Sequence, residues 1–471
     1  MYKNMSVAFL ELALSKGSRE EFTRGYQTRT QDLRFEKSSP KEIDPTTRIV
    51  VIGMGAITPL GLNVYETWRN MINGKTGIKK HQYEEYPRIK ASVAATVEGF
   101  NPQEILKGIY PEKEVKNNLH RSAQFALAAT HEALIQAKLL IPNEENIQKA
   151  WKINGQKIDP DDISIIYGTG IGGGSQIGEV QMSLDAKGRA ITSDILKALP
   201  ERSAKAISMA YGIYGGAHSL NDACATGNKA LSSAFQELAC GDAKIVITGA
   251  TEATCVPVGT AMFDVIRSLD PEPNPKIASR PLDQSAEGFV MGEGAATLVL
   301  TTLDYAKKIG APILAELLSY KNTSDASNNV FPNGVGSEKA MRGALERAKI
   351  KGLGRTIYIN GHLTATEGDK IEINALNQAL GDIKKNVVGI SATKSSTGHL
   401  LGAAGALEAI ICIQTLRTGS VPPTLKLENP INEALDFNCV KKETQELNPE
   451  TAMSNSFGFG GGNSVVIFQK T

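Results

Sequence analysis

Cysteine is scarce in this chain, and so is any cysteine pattern. Across 471 residues there are five thiols (Cys224, Cys240, Cys255, Cys412 and Cys439), and none pairs with another as C-x-x-C. An odd number at long spacing argues against a disulfide framework and a zinc ribbon, and for a reducing compartment. Histidine is sparse too. Six are present, without an H-E-x-x-H sequence or a clear third ligand, so no metal site is expected. An excess of one charge is also missing. The 51 Lys and Arg face 50 Asp and Glu, and a net charge of +1 leaves no electrostatic footprint for nucleic acid. The longest apolar stretch, Leu400 to Leu416, is interrupted by Glu408 and falls short of a membrane span. What is present, 41% hydrophobic and 21% charged residues, is the composition of a soluble globular chain too long for one small domain.

Residues 1–47 read as an N-terminal extension. Met5 to Leu14 is apolar around Glu11, which breaks the core a secretory signal needs. Glu20, Glu21, Asp32 and Glu36 are unlike an acid-poor transit peptide, so a cytoplasmic location is expected, with organellar targeting as the alternative. The body opens at Arg48-Ile-Val-Val-Ile-Gly, a short buried strand ending in glycine. Similar β-branched runs recur at Ile163-Ser-Ile-Ile-Tyr-Gly, Lys244-Ile-Val-Ile-Thr-Gly, Ala296-Thr-Leu-Val-Leu, Thr356-Ile-Tyr-Ile-Asn, Val387-Val-Gly-Ile-Ser and Val465-Val-Ile-Phe. Helical patterns lie between them at Arg121 to Ala137, Ala225 to Ala239, Lys339 to Ala348, Lys370 to Leu380 and Gly402 to Leu416. Strands alternating with helices predict a layered α/β fold with largely buried sheets. Lys307 to Pro312 reads as the join between two halves.

Gly168-Thr-Gly-Ile-Gly-Gly follows a strand and matches G-x-G-x-x-G. No strand ends in an acid about 20 residues later, as ribose binding requires, and no G-x-x-x-x-G-K-[ST] occurs. A tight turn or a wall of an acyl pocket is the alternative to a nucleotide site. In Asn221-Asp-Ala-Cys-Ala-Thr-Gly-Asn, Cys224 stands where a loop turns into a helix, with Ala230, Leu231, Ala234, Phe235 and Leu238 on one face and Gly241 as the stop. Unpaired amides and the positive dipole end there favour a thiolate, and the small neighbours admit a carbonyl. A buried structural cysteine is the alternative; the other four cysteines read as core residues. His362 and His399 each follow a buried strand, where functional groups of α/β sheets collect. A helix N-terminus would keep His399 neutral and able to donate a hydrogen bond. His131 reads as a core-edge residue of its helix, and His81, His120 and His218 give no site signal.

Five segments then fall into one pattern. Gly53-Met-Gly-Ala-Ile-Thr-Pro-Leu-Gly, Ala223-Cys-Ala-Thr-Gly, Gly288-Phe-Val-Met-Gly-Glu-Gly, Thr393-Lys-Ser-Ser-Thr-Gly-His-Leu-Leu-Gly-Ala-Ala-Gly and Asn455-Ser-Phe-Gly-Phe-Gly-Gly-Gly-Asn resemble β-ketoacyl-acyl carrier protein synthases. The chain looks like the elongating type, closest to synthase II. The resemblance implies a thiolase-like α/β fold, with two similar βαβαβαβαβ halves in five layers. The first half (48–306) would carry Cys224 as acyl-accepting nucleophile. The second (307–471) would carry His362 and His399, which support malonyl decarboxylation, and Lys394, which orients them.

Other roles carry over by position. The backbone N–H groups of Cys224 and Phe459 would form an oxyanion hole. Phe459, Phe457 and Ile171 would form the gate and acyl pocket, Thr364 and Thr366 would meet a pantetheine arm, and Glu408 would be a supporting buried acid. The implied reaction elongates an acyl chain on Cys224 by decarboxylative Claisen condensation with malonyl-acyl carrier protein in fatty-acid biosynthesis. It needs no metal and no cofactor. The implied partners are acyl carrier protein, in acyl and malonyl forms, and a second copy of the chain in a homodimer; nucleic acid and a membrane span are not implied. Because a carrier protein is acidic, a basic mouth is expected, with Arg121 and Arg267 as contributors.

Three positions depart from the family pattern: Leu363 replaces glycine or alanine and would crowd the malonyl side, Ala286-Glu287 replaces Arg-Asp, and Asp222 would oppose a thiolate unless paired. They keep open a specialised lipid or polyketide pathway and a weakly active chain-length partner subunit. A coenzyme A-dependent thiolase-like acyltransferase is the third alternative.

Overall fold

The computed structural model describes residues 47–144, 146–188, 192–327, 332–350, 353 and 355–471, so nearly all of the expected extension lies outside the described residues. The body opens on a fully buried strand, β1 (Ile49–Ile57). Its sheet continues with β2 (Ile163–Gly168), β3 (Ala217–Leu220), β4 (Ile245–Glu252), β5 (Gly294–Thr302), β6 (Ala315–Ser324), β7 (Ile357–Asn360), β8 (Val387–Ser391), β9 (Thr451–Gly458) and β10 (Gly462–Gln469). The helices that frame the site are α1 (Arg121–Gln136), α2 (Gly174–Lys187), α3 (Arg202–Tyr211), α4 (Thr226–Cys240), α5 (Pro257–Asp264), α6 (Val335–Ile350), α7 (Gly368–Leu380) and α8 (Ala404–Thr418). All five expected helices form, within a few residues of their expected ends. Strands β3, β6 and β9 were not expected.

The strands run β3-β2-β4-β5-β1-β6-β10-β9-β7-β8. Counted within each half, both sides have the order 3-2-4-5-1, with the two first strands adjacent. The directions repeat as well. β1–β5 and β5–β4 are antiparallel and β4–β2 and β2–β3 parallel; β6–β10 and β10–β9 are antiparallel and β9–β7 and β7–β8 parallel. One supersecondary plan is therefore used twice, which is the thiolase-like arrangement.

Alternation along the strands produces the layers. Ile49 and Val51 of β1 face a core that contains α4 and α8, whereas Val50 and Ile52 face a core that contains α1. In the second half Tyr358 of β7 joins the same central core, and Ile357 and Ile359 join an outer core with α6 and α7. Helices outside, sheets, and a central helix pair make five layers. A central helix is covered on all sides, so thirteen of the fifteen residues of α8 are buried. That explains why Leu400 to Leu416 reads as an almost continuous apolar run. Among the described residues no helix is long and apolar enough to cross a membrane.

The central helices position the site. A Cβ on Gly227 would stand 2.3 Å from the Ala406 nitrogen, and one on Gly405 would stand 2.8 Å from the Asn228 nitrogen. Only glycine permits that approach. The N-termini of α4 and α8 therefore meet, and with them the turns that carry Cys224 and His399.

Candidate active site

Cys224 occupies a single 3-10 turn (Ala223–Ala225) leading into α4, as the loop-to-helix reading expected. Ala223 is held at a φ of +46°, in the left-handed region that costs a non-glycine residue about 1 kcal/mol or more. Local bonds hold it there. The Asp222 N–H donates to Thr226 Oγ1 (2.8 Å), which donates to the Ala223 carbonyl (2.7 Å), and the Ala223 N–H donates to Asn221 Oδ1 (3.3 Å). From the end of β9, Gly458 lies so close that a Cβ on it would be 2.7 Å from the Asp222 carbonyl oxygen and 3.1 Å from the Cys224 nitrogen. That approach lets the Phe459 backbone N–H donate to the Cys224 sulfur.

Burial pushes the Cys224 thiol up to about 12; Lys394 opposes the shift, and Glu252 and Glu408 add to it. This loss of solvent works against the thiolate that the helix start was expected to favour. Asp222, the feared carboxylate, points away to Lys229 (3.7 Å).

His362, two residues beyond β7, and His399, just before the turn into α8, lie with ring centroids 5.4 Å apart in an edge-on pair. The Phe289 ring packs edge-on against His399 at 5.1 Å, and Phe457 packs against His362 at 5.8 Å. Burial drives both imidazoles well below their usual range, and the Lys394 ammonium drives them further, so both are neutral. Neutrality was expected for His399 from its place before a helix, and burial and Lys394 act in the same direction. In each ring Nδ1 is buried without a partner among the described residues. Lys394 is 2% exposed and bonded to Glu408 Oε1. Burial lifts the Glu408 carboxyl to about 7, against the pull of Lys394.

Cys224, His362, His399, Thr364, Thr366, Phe457 and Phe459 line one cavity of about 580 Å³. Lys394 and Glu408 sit behind that wall. Ile171 does not line it; it packs in an apolar cluster with Cys224, Leu401 and Phe263. Thr364 and Thr366 share a hydroxyl hydrogen bond (3.0 Å). Arg267, Ala286 and Glu287 stand at the lining as well. Arg121 does not: its guanidinium is bound to Glu293 (2.8 Å), so only Arg267 remains of the two expected cations. Leu363 has a φ of +20° and packs in the outer core, folded over Gly361, yet it also lines the same cavity between His362 and Thr364, where the larger side chain was expected to crowd the malonyl side.

Sequence reading missed the groups that hold His362. Glu372, on the buried side of α7, accepts from the N–H groups of His362 (2.9 Å) and Leu363 (2.8 Å) and from Asn455 Nδ2 (2.9 Å). Asp369, one turn earlier, accepts from Thr364 (2.8 Å), Ala365 (3.2 Å) and Leu282 (2.8 Å). Four consecutive amides of the His362 loop thus end on two buried acids. The signal was the spacing Asp369-Lys-Ile-Glu372, which places both on one helical face. Replacing Glu372 with alanine should leave two buried amides and Asn455 without an acceptor, at a cost of about 3 kcal/mol. A urea-unfolding free energy lowered by less than about 1 kcal/mol would show that the loop finds other partners.

A thiolase-like fold whose central helices bring a buried thiol, two neutral imidazoles and a lysine-carboxylate pair together defines a condensing acyltransferase. The descriptions "Beta-ketoacyl synthase, N-terminal domain" and "Beta-ketoacyl synthase, C-terminal domain" match residues 46–306 and 314–428. The chain is 34% identical over 428 residues to 3-oxoacyl-[acyl-carrier-protein] synthase 2 of Staphylococcus aureus (strain COL), covering 90% of this chain and 98% of the relative. It is 35% identical over 436 residues to a putative mitochondrial 3-oxoacyl-[acyl-carrier-protein] synthase of Schizosaccharomyces pombe, covering 90% and 99%. A type II polyketide ketosynthase solved in complex with its acyl-carrier protein matches with a TM-score of 0.78 and 25% identity, covering 90% of this chain and all of that one. The chain belongs to the β-ketoacyl synthase family.

Proposed function

We propose that the chain elongates acyl chains carried by acyl carrier protein in fatty-acid biosynthesis, as a synthase of the second type. The observation that carries this reading is the convergence of Cys224, His362 and His399 on one cavity, with Lys394 bonded to Glu408 behind it. In the first half-reaction Cys224 Sγ attacks the acyl thioester carbon. The bond to the carrier's pantetheine sulfur breaks, and the thiol proton leaves with that sulfur. The N–H groups of Cys224 and Phe459 meet the oxyanion. In the second, malonyl thioester loses carbon dioxide, and its bonding pair becomes an enolate. His362 and His399, neutral and fixed, donate to the enolate oxygen without solvent reorganisation. The enolate carbon attacks the acyl carbon, and Cys224 departs with the electron pair and takes up a proton from solvent.

Thr364 and Thr366 line the approach and suit the amides of a pantetheine arm. Arg267, exposed beside the mouth, supplies a cation for an acidic carrier protein. A homodimer agrees with the exposed Val258, Met262, Val265 and Ile266 on and after α5. A cytoplasmic location remains our reading of the composition. The division at 306/307 agrees with the repeated strand order.

The test supplies acyl- and malonyl-carrier protein and follows carbon dioxide release together with the β-ketoacyl product. Both should appear in equal amounts. Absence of carbon dioxide with every primer would refute the reading and favour a chain-length partner.

A further inference from the structure

Glu252, the last residue of β4, has no exposed surface. Its Oε2 accepts from the N–H groups of Gly170 (2.8 Å) and Gly402 (3.2 Å). Its Oε1 accepts from Thr254 Oγ1 (2.8 Å) and, at longer range, from the Ile171 N–H (3.4 Å) and Thr169 Oγ1 (3.5 Å). One carboxylate thus ties two segments that are far apart in sequence: the glycine loop bearing Ile171 and the turn between His399 and α8. The loop is fixed from a third side, because Asn221, in the nucleophile turn, donates through Nδ2 to the Gly170 carbonyl (2.6 Å). The turn is strained where it is held, with Leu401 at a φ of +47°. Leu401 and Ile171 then pack in the same apolar cluster as Cys224.

This arrangement also explains the G-x-G-x-x-G match. The strand, loop and helix α2 that the motif demands are all present. The loop amides that would cradle a phosphate are turned onto a carboxylate instead, and a second anion there would be repelled. The glycines serve a loop-to-turn clamp.

We propose that Glu252 is a positioning residue that sets primer length, by clamping the Ile171 loop against the turn that follows His399. The proposal rests on the reading of Cys224 as the acyl acceptor. Ile171 packs against the apolar cluster that contains Cys224, outside the cavity that the imidazoles line, and its backbone is located by this carboxylate. A group that only stabilised the fold would affect all primers alike; a group that sets how closely Ile171 packs beside the sulfur discriminates among acyl chains that reach it.

Glu252→Gln separates the two. A carboxamide keeps one acceptor oxygen and turns an NH2 group toward backbone N–H donors, so either the loop or the turn must move. Acylation of Cys224 is measured with hexanoyl-, decanoyl- and tetradecanoyl-carrier protein, by the mass of the acyl-enzyme against time. The ratio of the tetradecanoyl to the hexanoyl rate constant should rise by about tenfold, which corresponds to about 1.4 kcal/mol of discrimination. If the glutamine variant does not fold, Thr254→Val removes one donor to Oε1 while keeping the carboxylate, and should move the ratio the same way by about threefold. Rates reduced by one common factor for all three primers would overturn the proposal. A wild-type chain that is acylated by none of them would overturn the reading of Cys224, and the proposal with it.

Discussion

Cys224→Ala should lower acyl transfer from carrier protein by about four orders of magnitude or more, the scale seen when a covalent nucleophile is removed. Malonyl decarboxylation should survive, because His362 and His399 stand on other elements and are neutral without help from the thiol. The wild-type thiol has its own signature. It is pushed up to about 12, above an ordinary cysteine. A raised pKa keeps the reactive form scarce, and each unit of pH below it multiplies the thiolate about tenfold. Alkylation by iodoacetamide should therefore climb steadily between pH 6 and pH 10, with no plateau near the ordinary thiol range. A plateau near neutrality would show that the dipole of α4 prevails over burial. An acyl-enzyme formed by the alanine variant would remove Cys224 from the reaction altogether.

The parts of the fold legible in sequence are those in which apolar patterning and position coincide. β1, β2, β4 and β7 are buried on both faces, and their β-branched runs say so. β9 reads as Thr-Ala-Met-Ser-Asn-Ser-Phe-Gly and gives no such signal, yet Ser454, Asn455 and Ser456 have no exposed surface. Its polar side chains are buried because they serve the site: Asn455 bonds Glu372, and Asn228 of α4 donates to the Ser454 carbonyl (3.0 Å). β6 was missed for a related reason. It reads Ala-Glu-Leu-Leu-Ser-Tyr-Lys-Asn-Thr-Ser, with a polar second half and a buried acid at its start, and Glu316 is paired there with Arg48 at 2.5 Å. In the site, nucleophile, imidazoles and lysine are reactive types and invite attention. Glu252, Glu372 and Asp369 act through backbone amides, and an amide has no letter in the sequence. The burial of Cys224 was not legible because a helix end is visible in sequence, whereas the depth of burial depends on Gly458 and the distant β9.

The second large effect is expected at His399. Replacement by alanine should reduce decarboxylation of malonyl-carrier protein by about 10²–10³-fold, the loss found when one preorganised oxyanion donor is removed. Acyl transfer to Cys224 should stay within about threefold, since the N–H groups of residues 224 and 459 serve that oxyanion. The separation follows from the architecture: transfer uses the turn before α4 and the end of β9, and decarboxylation uses the loop after β7 and the turn before α8. Lys394 links the second set. It is a buried ammonium whose charge is balanced by Glu408, and it opposes protonation of both imidazoles. An imidazolium could still donate, but forming one here would bury a second positive charge beside the first. Neither imidazole should accordingly contribute a limb to the wild-type decarboxylation rate near its ordinary range of about 6.5. A limb near 7 would instead follow Glu408, whose carboxyl burial lifts to about 7 and which loses its charge beside Lys394 as the pH falls. If His399→Ala instead loses transfer and decarboxylation equally, the two half-reactions share one set of donors, and the division of labour inferred from the central helix pair is wrong.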